Sequence, residues 1–154
     1  MNPGLEKAWQ AALNVAYAEW QKPENQNWNF EEMVLNCDSQ LMREVVLLGK
    51  MNQQIENGGF CQWVDNGYCT PKLLETIVTA LDRTETGKQI VALIAKFAEY
   101  IEEDGWDWDE EYQESMGSNI ADRCDDVFCK LQDQWHTELG LLWDGKLEQL
   151  GVAA

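Results

Sequence analysis

The chain has 154 residues, 45% of them hydrophobic, with 28 acidic against 11 basic side chains and a formal charge of -17. That length and apolar share describe one folded domain rather than an acidic disordered tail, and eight tryptophans would be wasted on an unfolded chain. The charge excludes direct binding to nucleic acid or anionic lipid, the lack of an apolar run of about 18 residues excludes a membrane-spanning helix, and basic surfaces are the partners implied.

Leu5, Trp9, Ala12, Leu13, Ala16 and Trp20 recur at three- and four-residue steps and predict a helix that starts near Pro3 and is closed by Pro23. A polar loop over 24–29 precedes a short helix from about Phe30 to Asn36. Asp38 or Ser39 caps the next helix, striped by Leu41, Val45, Leu48, Met51 (or Asn52) and Ile55 and stopped at Asn57-Gly58-Gly59. Phe60 to Asn66 reads as one or two turns. Thr70-Pro71 opens a helix with Leu73, Leu74, Ile77, Val78 and Leu81 inward, and Thr86 opens another on Ile90, Leu93, Ile94, Phe97 and Ile101. The last stripe is Ile120, Cys124, Val127, Phe128, Leu131, Trp135, Leu139, Leu142 and Trp143, with Gly140 and Asp144-Gly145 as places to bend or stop. No segment alternates with period two. The expectation is an all-α, compact single-domain bundle of about six or seven helices over 1–154.

The acids are not spread evenly. Glu99, Glu102, Glu103, Asp104, Asp107, Asp109, Glu110, Glu111, Glu114, Asp122, Asp125 and Asp126 face one base, Arg123, so 99–126 carries -11 of the -17. The charges of 102–111 are too dense to be buried together, which predicts that this run is an exposed connection between the last two helices, with Trp106 and Trp108 near its centre. On the last helix Asp122, Asp126 and Asp133 fall opposite the apolar stripe, so an outward row continues the acidic connection. Trp9, Trp20, Trp135 and Trp143 lie in apolar stripes and are expected in the core. Trp106 and Trp108 either fold back to pin the loop or anchor a partner.

Chemical motifs are sparse. A calcium loop begun at Asp107 would put Tyr112 where the turn needs glycine and Ser118 where a bidentate glutamate belongs. Cys124 and Cys129 stand about 140° apart on a helix, and Cys129 with His136 supplies two zinc ligands, not four. One histidine, with no nucleophile-elbow or phosphate-loop pattern, argues against an enzyme and against a cofactor. Five cysteines, an odd number without a dense framework, read as buried or half-buried reduced thiols. The first residues lack a secretory pattern, so a cytoplasmic location is expected.

The run Asn57-Gly58-Gly59-Phe60-Cys61-Gln62-Trp63-Val64-Asp65-Asn66 resembles the Asn-Gly-Gly-Phe-x-Gln-aromatic-x-x-Asn signature of a helical family first described through DNA mimic protein nineteen. The likeness extends over about 38–150, with Val64 where such proteins often carry a second aromatic residue. Physically the signature is scaffold: two glycines turn the chain, Phe60 and Trp63 enter the core, and Gln62 and Asn66 bond backbone near the turn. The resemblance implies a cytoplasmic, often dimeric protein that imitates duplex DNA and occupies the DNA-binding face of a basic protein, whether repressor, nucleoid protein or defence nuclease. The partner-binding residues expected on this reading are Glu99, Glu102, Glu103, Asp104, Trp106, Asp107, Trp108, Asp109, Glu110, Glu111, Glu114, Asp122, Asp125 and Asp126. The alternatives are an immunity or adaptor protein that binds a basic partner without mimicry, and an acidic domain whose charges only solvate it.

Overall fold

The computed structural model describes the backbone of residues 3–37, 39–104 and 118–146, and side chains over 5–37, 39–99 and 123–146. Among these residues there are six α-helices and no strand: α1 (Pro3–Trp20), α2 (Phe30–Leu35), α3 (Gln40–Asp65), α4 (Pro71–Leu81), α5 (Glu85–Asp104) and α6 (Ser118–Leu142). The expected all-α architecture is the one observed. The connection expected over 102–111 starts later than predicted, because 102–104 complete the last turn of α5; the rest of it, with Trp106 and Trp108, lies outside the described residues.

The local chemistry explains the helix starts. Ser39, rather than Asp38, caps α3: its hydroxyl accepts from the Met42 N–H at 3.0 Å, satisfying one of the orphan donors of the first turn. Asn29 does the same for α2 through Glu32 N–H. Helix α5 begins one residue before Thr86, and Thr84 supplies the cap by accepting from Gly87 N–H at 3.0 Å.

Gly59 divides α3. Its φ of 78° and ψ of -176° fall where only glycine is comfortable, so the helix breaks there and restarts at Phe60. The predicted stop at Asn57-Gly58-Gly59 is therefore real as a kink, and the predicted turns of 60–66 are the short helix after it. Restarting exposes a first-turn N–H at Phe60, and Asp125 Oδ1 from α6 accepts it at 2.8 Å.

Helix α3 lies at the centre, packed on α1, α2, α4 and α6, while α5 lies between α4 and α6. The α1–α3 contact is close because the Trp9 ring rests on Gly49, where a Cβ would stand 3.1 Å from the indole. A chain of aromatic contacts then crosses the core. Trp143 and Trp135 lie 5.9 and 6.0 Å from Trp9, Phe128 is 5.9 Å from Trp135, and Phe60 joins Phe128 at 6.0 Å to Phe97 at 5.5 Å. These rings come from α1, α3, α5, α6 and the turn just after α6, so the helices that carry the acidic segment are tied to the rest by interlocked aromatic packing.

Three expectations need correction. Val127, expected inward, is 39% exposed, because it sits at the edge of the α6 stripe rather than on it. Gln62 and Asn66 do not bond backbone groups through their side-chain amides; both donate to Gln54 Oε1, at 3.0 and 2.8 Å. Cys129 is exposed, not buried, because it lies on the solvent side of α6, whereas Cys37, Cys61, Cys69 and Cys124 are buried or half-buried.

Candidate protein-binding face

Helices α5 and α6 run antiparallel. Thr86, at the start of α5, meets Glu138 near the end of α6, and Phe97 shares Phe60 with Phe128 farther along both helices. The end of α5 and the beginning of α6 therefore lie at the same end of the pair. That geometry brings the helix positions of Glu99, Glu102, Glu103 and Asp104 near those of Asp122, Asp125 and Asp126.

The described acidic side chains along the two helices behave in two ways. Glu99, Asp126 and Asp133 are exposed. At 100° per residue Asp122, Asp126 and Asp133 fall within about 40° of one another and span about 16 Å of helix axis. Asp125 differs, because one step of about 100° turns it toward α3. It is half-buried and takes the Phe60 N–H. Its carboxylate sits where a side chain on Gly59 would have to go. The side chains of Glu102, Glu103, Asp104 and Asp122 lie outside the described residues, as do Trp106, Asp107, Trp108, Asp109, Glu110, Glu111 and Glu114 entirely.

Ion pairing leaves the exposed row charged. The pairs formed among the described residues join Lys22 to Glu19, Arg83 to Glu44 and Lys88 to Glu85, and none uses Glu99, Asp126 or Asp133. Arg123 and Lys130, also exposed, flank the row on α6 about 40° to 60° away from Asp126, so the face is acidic with a basic margin.

Polar contacts that no sequence pattern announces hold the two helices in place. Glu138 receives both the N–H and the hydroxyl of Thr86, capping the start of α5 from α6. Burial would raise the Glu138 carboxyl, but the bonds from Thr86, with help from Gln134 and the Glu85 backbone, hold it below its ordinary value. On the other side of α6, Gln132 donates to Asn52 Oδ1 at 2.8 Å and to Glu56, and His136 Nε2 lies 2.9 Å from the same Asn52 oxygen. Glu56 accepts only, which assigns Gln132 as donor, Asn52 Oδ1 as acceptor and His136 Nε2 as the protonated nitrogen.

That assignment bears on catalysis. His136 is the single histidine, only 2% exposed, and wedged against Trp9 and Trp135 with ring centres 5.3 and 5.4 Å away. Its Nδ1 is buried and has no hydrogen-bond partner among the described residues. Burial pushes its pKa down to about 4, against a smaller upward pull from Asp133. No substrate in solvent reaches this ring, so it cannot serve as a general base. Burial likewise raises the Cys124 thiol, with Asp125 adding to the shift, and pushes Cys69 up to about 11, which disfavours thiolate chemistry at both. Among the described residues no group of three His, Cys, Asp or Glu side chains is placed to hold a metal, and no helix is long and apolar enough to cross a membrane.

No curated protein and no solved structure matches the chain. The family model described as DMP19-like protein matches residues 39–149, from the cap of α3 to beyond the end of α6. That span covers well over half of the chain and includes both the kinked signature helix and the acidic helix pair, so the protein belongs to the DMP19-like protein family.

Proposed function

We propose that this protein is an acidic DNA mimic that occupies the DNA-binding face of a basic nucleic-acid-binding protein and blocks it by competition. The observation that carries the reading is the antiparallel α5–α6 pair, which brings both ends of the -11 segment to one end of a well-packed scaffold. Family membership supports it, as do the exposed Glu99, Asp126 and Asp133, none of which enters an ion pair among the described residues. DNA-binding proteins present lysine and arginine to phosphates about 3.4 Å apart per strand, and phosphate contacts supply most of their sequence-independent affinity. Carboxylates in a row on a fixed helix can meet the same side chains without base edges. The proposal includes the connection with Trp106 and Trp108, a cytoplasmic location, a repressor, nucleoid protein or defence nuclease as target, and a two-fold dimer that would lengthen the acidic surface. It requires no turnover and no cofactor.

The test begins with a partner recovered on the immobilised protein. Replacing Glu99, Asp107, Asp109, Glu110, Glu111, Asp122 and Asp126 by their amides should weaken that partner at least about tenfold at low salt and flatten the salt dependence. Duplex DNA should compete for the same site. Retained affinity in the neutralised variant would refute the acidic face as the interface. Binding that is lost on neutralisation but not displaced by DNA would replace mimicry with the adaptor reading.

A further inference from the structure

Asparagine followed by glycine occurs twice in the chain, at Asn57-Gly58 and Asn66-Gly67, and both asparagines belong to the signature run. The pair has a chemistry of its own. The main-chain nitrogen of the glycine can attack the asparagine side-chain Cγ, because no Cβ obstructs the approach and glycine tolerates the backbone rotation required. The new C–N bond closes a cyclic imide, and the side-chain nitrogen departs as ammonia with the proton of the glycine N–H. Water then opens the imide at either carbonyl carbon. One opening gives aspartate; the other gives isoaspartate, with the main chain routed through the side-chain carbon. The dipeptide alone gives the two positions equal standing. A fold separates them by how freely the side chain can turn back and by what holds the glycine N–H away from it.

Asn66 is held on both counts. Its side-chain amide is hydrogen-bonded to that of Gln54 at 2.8 Å, and Gln54 is only 8% exposed. Gly67 N–H donates to the Val64 carbonyl at 3.1 Å, and the N–H of Asn66 itself donates to the Gln62 carbonyl at 3.0 Å. Asn57 is held on one count. It is exposed, and its side chain makes no hydrogen bond among the described residues. Gly58 N–H lies within α3, but in the last turn before the break, since φ reaches 78° at Gly59 and the Phe60 N–H is met by Asp125. A helix end opens at lower cost than a helix interior.

We propose that Asn57 is a site of spontaneous deamidation in the folded protein, and that the bond to Gln54 protects Asn66 from the same reaction. The additional hydrogen bond that Asn66 must release slows it by about fivefold relative to Asn57. The product at 57 is a new carboxylate beside Glu56. Its isoaspartate form lengthens the main chain just ahead of Gly58 and Gly59, the turn that delivers the Phe60 N–H to Asp125. The site is separate from the outward acidic row and does not depend on mimicry.

The full chain is incubated at mildly alkaline pH in heavy-oxygen water, once folded and once in urea, then digested in ordinary water and mapped by fragmentation mass spectrometry. Heavy oxygen enters only where an imide opened during the incubation, so conversion during digestion is not counted. Each rate is divided by that of the same position in urea, which removes the influence of the flanking sequence. The normalised rate at 57 should exceed that at 66 by about fivefold or more, and the modified peptide should separate into aspartate and isoaspartate forms of equal mass. A normalised ratio of one or less would overturn the proposal. So would an unmodified Asn57 in folded protein kept until the chain in urea has converted.

Discussion

The burial of His136 makes a quantitative prediction about acid. Its ring is enclosed by Trp9 and Trp135, its Nε2–H is committed to Asn52, and its Nδ1 has no acceptor to meet a second proton. Protonation would place a charge in a site without a partner, which is why the folded pKa falls from 6.5 to about 4. Below pH 6.5 the unfolded chain then binds a proton that the folded chain refuses. The contribution is intact above the unfolded pKa and declines as pH falls toward the folded one. Between pH 7 and pH 4 the loss comes to about 3 kcal/mol, a large part of the 5 to 15 kcal/mol that holds a typical domain together. Acidification also relieves repulsion among the carboxylates, which acts in the opposite direction, so wild type alone gives no clean reading. His136→Gln cannot take up the proton and shares the carboxylate term. Urea unfolding followed by tryptophan emission, each protein referred to its own pH 7 value, should show wild type losing about 3 kcal/mol more than the variant by pH 4, or about 1 to 2 M in midpoint. Parallel pH dependences in the two proteins would refute the reasoning.

The kink and the thiols supply two further tests. Gly59→Ala must adopt a φ of 78° with a Cβ directed at the Asp125 carboxylate, so it should cost about 1 to 3 kcal/mol or more in urea unfolding. Asp125→Ala, which strips the acceptor from Phe60 N–H, should cost about 1.5 to 3 kcal/mol, and the double variant should cost less than the sum because both changes act on one contact. Under mild iodoacetamide at neutral pH, mass mapping should find Cys129 alkylated first, while Cys124 and Cys69, raised by burial, stay protected until the fold opens.

What was legible in the sequence was what repeats locally. The α1 stripe from Leu5 to Trp20, the start of α4 at Pro71 and the Ser39 cap depend on neighbours within one or two turns, and each stands where periodicity puts it. Contacts across the fold carry no such period. Nothing near Phe60 announces that its N–H is met by a carboxylate 65 residues away. Likewise, Lys50 within the striped helix gave no sign of the two tyrosines around it. The same limit distorts a reading of the acidic segment by count alone. Asp125 and Asp126 are adjacent in sequence and equal in charge, yet the helix turns one toward Phe60 and the other toward solvent. Helix phase, not composition, therefore decides which acids a partner can meet. A neutralisation test that included Asp125 would remove part of the scaffold together with part of the face, and a loss of binding would then report folding as readily as recognition. Leaving Asp125 intact while replacing Glu99 and Asp126 separates the two, because the restarted turn of α3 keeps its cap and any loss of affinity belongs to acids that face outward.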